Sequence, residues 1–350
     1  MNADRILIAG GSGVFGQHLA RELLASTQAH LVIAGRDIGR AESVCRSLGE
    51  EGRVEPVALD LADPASLERA ARGCVAVACT AGPFQGLPLS LPGAAVRAGA
   101  HWLDIADAPG WVLPLLNDRS LDQAARSAGV AIMTGLSSVP SVSGTLARWC
   151  HARLPEGRHG SVTLFIGNRN EKGPGATASA LISGFRDPGW VTLPIGRRRA
   201  YRFQTPDAEL FRRDFGLEAE FRVALEWAYL GRWAAALGRL TPLVGRRRQT
   251  RLARWLSELS RPFARFGTES GIVQVEVWDD AGEAVAAAAI AGQRLVVLPC
   301  ALALQAILEG RVTGGGVLHP AAWLPADELL AGLRSRGVRL MTSRYTRRRR

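Results

Sequence analysis

Seven residues near the start of the chain, Gly10-Gly11-Ser12-Gly13-Val14-Phe15-Gly16, have the types and spacing to hold a phosphate-bearing ligand. They satisfy G-x-G-x-x-G through Gly11, Gly13 and Gly16, and G-x-x-G-x-x-G through Gly10, Gly13 and Gly16. The chemistry asks for a tight turn off a strand, close approach of the backbone to a pyrophosphate, and a helix packed hard on the strand. The pyrophosphate then meets free N–H groups and the positive end of the helix dipole. The motif follows the apolar run Arg5-Ile6-Leu7-Ile8-Ala9 and opens an amphipathic stretch from Val14 to Ala25, which is the context that makes it informative.

The second apolar run ends in Ala34-Gly35-Arg36-Asp37. A site selective for NAD places a carboxylate at this strand end, roughly 20 residues after the glycines. Here Arg36 holds the place, and its planar fork suits a 2′-phosphate, which favours NADP over NAD. Asp37 is one step later, where it serves equally as a helix cap. Asp60, in Leu59-Asp60-Leu61, is placed either to meet the adenine or to make a turn. Thr80-Ala81-Gly82-Pro83 follows the fourth apolar run, and small residues there let the backbone lie along a cofactor.

The elements that must position these residues alternate along the first 135 residues. Strands are predicted over Arg5–Ala9, Leu31–Ala34, Val54–Leu59, Val75–Cys79, Trp102–Ile105 and Val130–Met133. Helices fall between them at Val14–Ala25, Ile38–Leu48, Pro64–Arg72, Leu87–Ala98 and Leu113–Ala128. Six strands alternating with helices imply βαβ units and a Rossmann-type, doubly wound parallel α/β sheet. In such a sheet ligands bind outside the carboxyl ends of the strands. That rule selects Thr80, Asp104, Asp107 and the loop Gly135-Leu136-Ser137-Ser138-Val139-Pro140, and it assigns His101, at the start of its strand, a structural role.

Beyond residue 155 the pattern changes to a second, mixed α/β domain. A strand at Ser161–Ile166 precedes a glycine-rich stretch, Gly167 to Gly175. Helices are predicted near Val223–Leu240 and Arg251–Phe266, a hairpin over Ile272–Trp278 and Ala284–Val297, and a last helix at Pro299–Leu308. The expected division is 1–155 for the dinucleotide domain, 156–300 for the second domain, 301–345 for a C-terminal helical segment and 346–350 for a basic tail.

Bulk properties restrict the partners. The net charge is +11, but nearly all the cation is arginine, with Lys172 the sole lysine. The clusters Arg197-Arg198-Arg199, Arg246-Arg247-Arg248 and Arg347 to Arg350 read as solvated loops and a frayed tail, and no nucleic-acid-binding signature accompanies them. Five scattered cysteines read as reduced thiols, and the histidines form no metal-binding pair, so no metal is expected. No apolar run is long enough to span a bilayer, and no secretory leader is recognisable, so a cytoplasmic location is expected. The aromatic and arginine-rich stretch 223–266 suits packing between lobes or across a dimer, with peripheral membrane contact as the rival reading. The tyrosine–lysine pair of short-chain dehydrogenases is excluded, because Tyr201, Tyr229 and Tyr345 are followed four residues later by Thr205, Trp233 and Arg349.

Taken in order, Thr80-Ala81-Gly82-Pro83-Phe84, Trp102-Leu103-Asp104-Ile105-Ala106-Asp107 and Gly135-Leu136-Ser137-Ser138-Val139-Pro140, together with the glycine loop and Ala34-Gly35-Arg36-Asp37, resemble the saccharopine dehydrogenase-like family over the first 145 residues. Gly167-Asn168-Arg169, Phe266-Gly267 and the hairpin are similar to the second domain of bacterial members, more loosely. The resemblance implies NADP binding, an inserted α/β domain that supports homodimerisation and holds a small-molecule substrate, and C-terminal helices that return to the first domain. It implies hydride transfer to or from an imine or carbonyl, with anion clamps for carboxylates. On that basis Asn168 and Arg169 are a candidate clamp against a surface turn. Asp104 and Asp107 are candidate proton donors or amine anchors against capping roles. Ser137 and Ser138 are candidate hydrogen-bond donors to substrate or nicotinamide against a helix N-cap. A dinucleotide-binding or membrane-peripheral module without turnover is the alternative.

Overall fold

In the computed structural model, residues 4–171, 185–227 and 266–347 are described. They fall into two compact units. The first comprises Met1–Ser137 and Val296–Trp323, the second Ser138–Leu295 and Leu324–Arg350.

The first unit is built on β1 (Arg5–Ala9), β2 (His30–Gly35), β3 (Val54–Ala58), β4 (Ala76–Cys79), β5 (His101–Asp104) and β6 (Ala131–Met133). Between them run α1 (Val14–Ser26), α2 (Ile38–Leu48), α3 (Pro64–Ala71), α4 (Leu91–Arg97), α5 (Pro109–Leu116) and α6 (Arg119–Ser127). All pairings are parallel, with Leu7 opposite Val32 on one side and Val77 on the other. Ile6, Leu7, Ile8 and Ala9 are all fully buried, so both faces of β1 are covered, and its run of apolar residues without alternation follows from that. Ile6, Leu7 and Ile8 each contribute about 1.5–3 kcal/mol by leaving water.

The sheet holds seven strands rather than the expected six. A three-residue strand, β13 (Gly316–Leu318), pairs in parallel with β6, giving the order β13-β6-β5-β4-β1-β2-β3. Three residues are too few to show a period, and the preceding Gly315 is set where a Cβ would lie 2.5 Å from the Ala125 carbonyl. The helix expected over Leu113–Ala128 is two helices: α5 ends at Leu116 with Asn117 as its C-cap, and Asp118 caps α6 by accepting from Leu121 N at 3.0 Å. The helix expected from Leu87 begins only at Leu91, after a short turn of 3-10 helix at Phe84–Gly86.

The second unit carries a mixed sheet of seven strands: β7 (His159–Ile166), β8 (Arg186–Leu193), β9 (Gly196–Arg202), β10 (Glu218–Leu225), β11 (Gly271–Trp278), β12 (Glu283–Ala291) and β14 (Arg339–Thr346). Their order is β14-β12-β11-β7-β10-β9-β8. The described helices here are α7 (Ser143–His151), α8 (Asp207–Phe215) and α10 (Ala326–Ser335); α9 (Leu298–Leu308) belongs to the first unit and packs beside α1.

Several expectations are corrected here. Val223–Leu225 lies on β10, not on a helix; Phe221 and Val223 are buried on alternate positions between β7 and β9. The rest of the two predicted helices, with Tyr229, Trp233, Trp255 and all but the ends of the 223–266 stretch, falls outside the described residues, as does Lys172. Arg197, Arg198 and Arg199 are on β9 rather than in a solvated loop. The second hairpin strand ends at Ala291, and a short 3-10 turn precedes α9. Two strands, β13 and β14, interrupt the helical segment expected over 301–345.

All five cysteines are free, and burial raises each thiol: Cys79 and Cys150 are pushed up to about 12. Cys45 alone is half-buried. Titration of the folded chain with an aromatic disulfide reagent at mildly alkaline pH is expected to modify Cys45 and to reach Cys74, Cys79, Cys150 and Cys300 only after denaturant is added.

Candidate functional site

The glycine turn leaves β1 under tight steric control. Gly10 has φ +82°, and a Cβ there would stand 2.8 Å from Ala81 N. A Cβ on Gly11 would meet the Ile8 carbonyl at 2.9 Å and the Ile33 side chain at 3.0 Å. On Gly16, in the first turn of α1, it would fall 2.4 Å from the Gly10 carbonyl and 2.6 Å from Gly11 Cα. Each contact is mainly with a neighbouring turn or strand that cannot move away cheaply, so only glycine fits. The N–H groups of Gly10 and Gly11 both donate to the Ala34 carbonyl, at 2.9 and 3.0 Å, which fastens the turn to the end of β2.

Gly13 is the N-cap of α1, with no side-chain cap and no acidic residue in the first turn. The first N–H groups of an α-helix have no partner within it. With the dipole behind them they form an anion site that no carboxylate of the helix itself occupies. Ser12 and Val14 to Gly16 surround this point, and the Gln17 side chain steadies it by donating to the Ser12 carbonyl at 3.3 Å.

The other predicted cofactor residues lie along the same carboxyl edge. Arg36 follows β2 directly, exposed, and makes no ion pair with a described residue. Asp37 caps α2, accepting from Arg40 N at 3.1 Å, so its carboxylate is engaged by the helix. Asp60 is exposed at the end of β3 and accepts from Ala62 N at 3.0 Å, a turn-forming contact. Thr80 is buried and donates through Oγ1 to the Ala9 carbonyl at 3.2 Å, tying the Thr80–Pro83 segment to β1. Ala81 then rests against Gly10.

Asp104 is fully buried at the end of β5. Its Oδ1 accepts from Ala106 N (3.0 Å), Thr134 Oγ1 (3.0 Å) and Gly135 N (2.9 Å). Its Oδ2 accepts from the indoles of Trp102 and Trp111, both at 2.9 Å. Burial pushes the carboxyl above its ordinary range, and the surrounding donors pull it back toward the charged form. Sealed from solvent and surrounded by donors, Asp104 ties together the loops after β5 and β6. Through Trp111, whose ring lies 5.6 Å from Phe84, the same network reaches the Thr80–Pro83 loop. Asp107 is half-buried beyond it, and Ser137 is buried, with its N–H on the Gly135 carbonyl at 2.8 Å.

Sequence reasoning passed over the two tryptophans and Thr134. The signal was present: a buried indole N–H must find an acceptor, and Asp104 is the acid two residues after Trp102 and seven before Trp111. His101 does take the structural role expected, accepting from Ala131 N at 2.9 Å.

The remaining candidates belong to the second unit. Ser138 is buried, directly before the extended backbone of Val139 (φ −140°, ψ 124°) that kinks the chain ahead of α7. Asn168 is buried and committed to the loop opposite, donating to the Phe266 carbonyl at 2.8 Å while its N–H donates to Glu226 at 2.7 Å. Arg169 is half-exposed and paired with Glu269 at 3.0 Å. Among the described residues no group of His, Cys, Asp or Glu comes together to hold a metal ion, and no described helix is long and apolar enough to cross a membrane.

A family model described as NAD(P)H-binding matches residues 10–134, the stretch from the glycine turn to the end of β6. A trans-acting enoyl reductase of Mycobacterium ulcerans (strain Agy99) is 34% identical over 137 residues, which cover 38% of this chain and 31% of that protein. The chain therefore spans about a third of that curated relative's length. Among solved structures, a metagenomic short-chain oxidoreductase in complex with NADP is 19% identical, with a TM-score of 0.30, over 38% of this chain and 81% of its own. A short-chain dehydrogenase/reductase from Serratia marcescens is 17% identical, with a TM-score of 0.31, over 37% and 72%. The family match and the reductase relative bear on NAD(P) binding and leave the saccharopine-type resemblance at the level of the motifs that carry it.

Gly16→Ala is expected to abolish dinucleotide binding, read by fluorescence titration, because the turn must open to admit the methyl group. Asp104→Asn places an amide against five donors and is expected to cost about 1–3 kcal/mol in urea unfolding. Trp111→Phe, which leaves the carboxylate its other partners, is expected to cost less.

Proposed function

We propose that the chain is an NADP(H)-dependent oxidoreductase that moves hydride to or from an imine or carbonyl of an amino-acid-like or other small metabolite. The observation that carries this reading is the glycine turn, closed by backbone contacts and opening onto an uncapped helix N-terminus, with a free arginine at the end of β2. Gly10 to Gly16 would hold the pyrophosphate, Arg36 the 2′-phosphate, and Thr80 to Pro83 would lie along the ribose on the nicotinamide side. When bound, the nicotinamide supplies or accepts the hydride. The chain's own part is to orient that ring and keep water from it, with Asp104 fixing the two loops concerned.

The ordered motifs support a saccharopine dehydrogenase-like reading, in which the second unit holds the substrate and pairs two copies. Asp107, Ser137 and Ser138 remain the candidates for contact with substrate, and Arg169 for a carboxylate clamp that must first release Glu269. The Mycobacterium ulcerans relative is by its name a reductase of enoyl groups, so conjugated carbon–carbon double bonds belong in the substrate panel beside imines and carbonyls. A binding-only module is the second reading, favoured by the burial of Asp104 and the engagement of Asn168 with the loop opposite at Phe266.

Titration with NADPH and NADH tests the cofactor site. The wild type is expected to bind NADPH more tightly, and Arg36→Asp to weaken NADPH by about 10–100-fold through loss of a charge-assisted contact, with NADH little changed or improved. Equal affinity for both cofactors in the wild type would remove Arg36 from the site. NADPH binding without turnover on imines, carbonyls or enoyl thioesters would favour the binding-only reading.

A further inference from the structure

The hairpin β8–β9 forms one end of the second sheet and has two unlike faces. Val191, Leu193 and Ala200 point inward, where with Ile195 they join a cluster containing Phe165, Ile272 and Ala288. Trp190, Thr192, Arg197 and Arg199 point the other way, since Trp190 pairs with Arg199 and Thr192 with Arg197 in the ladder. Trp190 is 54% exposed, and the Arg197 guanidinium stands 4.9 Å from its ring centroid. Arg186 is exposed at the start of the same edge strand. Arg202 meets Asp187 and Glu220, and Arg198 feels Glu226, but Arg186, Arg197 and Arg199 pair with no described carboxylate.

Cations on an edge strand guard it against pairing with another sheet. That purpose needs charge alone, and a half-exposed indole works against it. The density of arginine also repels a second copy of the same hairpin. What accepts both groups at once is an anionic surface with an apolar layer just beneath it: arginine on headgroup phosphates, indole at the level between headgroup and chain. A single-stranded nucleic acid would ask for a groove lined by several aromatic faces, whereas this hairpin offers one indole on an outward-facing end.

We infer that the outer face of the β8–β9 hairpin, through Trp190, Arg197 and Arg199, docks the protein on anionic lipid bilayers. The surface lies on the second unit, and docking through it does not require the proposed hydride transfer.

The test is co-sedimentation of the full chain with phosphatidylcholine vesicles, with and without one part phosphatidylserine to three of phosphatidylcholine. The wild type is expected to bind the mixed vesicles, to ignore the neutral ones, and to be released as added salt shortens the screening length. Each arginine near the surface is worth about fivefold in partitioning, so Arg197→Glu with Arg199→Glu should reduce binding by at least about 25-fold. Trp190→Ala should also reduce it, with NADPH affinity and circular dichroism unchanged in both variants. No binding by the wild type, or equal binding by the variants, overturns the inference. So does preference for a single-stranded oligonucleotide over the mixed vesicles, lost in the same variants, which would assign the face to nucleic acid.

Discussion

The approach of α1 to the end of β1 is limited by backbone atoms on both sides. A Cβ on Gly16 would fall 2.4 Å from the Gly10 carbonyl, so the first turn of the helix packs this closely on the loop only with glycine there. Any side chain at Gly10, Gly11 or Gly16 would force the turn and the helix apart. The positions of Ala81 and Ile33 follow from the same contacts, so the ends of β2 and β4 are placed by the turn as well. A phosphate site of this kind has little side-chain chemistry to lose. Its affinity resides in how closely three pieces of backbone are stacked.

Asp104 solves a related problem farther along the sheet edge. Loops after parallel strands carry N–H groups that neither the sheet nor a helix satisfies. One buried carboxylate gathers two of them, from Ala106 and Gly135, together with a threonine hydroxyl and two indoles. Removing a buried charge from such a shell leaves all of its donors unsatisfied, which costs more than the bonds are worth individually. The network makes the edge rigid where a ligand would lie without exposing the acid that does so.

The first sheet was largely legible because apolar strands alternate with helices and its turns are chemically marked. β1, α2 and the glycine turn fall at the residues that strand periodicity, Asp37 and the glycine spacing indicate. The structural role of His101 followed from strand polarity alone. β13 was not legible, since Gly316–Leu318 is too short for any period and is held by its register with β6. β8 and β9 were hidden for a different reason. Their arginines suggest a loop, yet Val191, Leu193, Ile195 and Ala200 face a packed interior. At the site, Arg36 could be read from one position. The enclosure of Asp104 depends on Thr134 and Gly135, thirty residues away in sequence, and no spacing rule links them.

The late arrival of β13 and α9 has a consequence for synthesis. The chain leaves the first unit at Ser137 and does not come back to it until Val296. A ribosome adding about 5–20 residues per second takes roughly 10–40 s between Met133 and Gly316. Throughout that interval β6 is an open parallel edge, and the flank of α1 that α9 will cover has no neighbour. The nascent dinucleotide unit is thus born unfinished. Its window of vulnerability to chaperone capture or aggregation is set by the length of the insertion between its two halves.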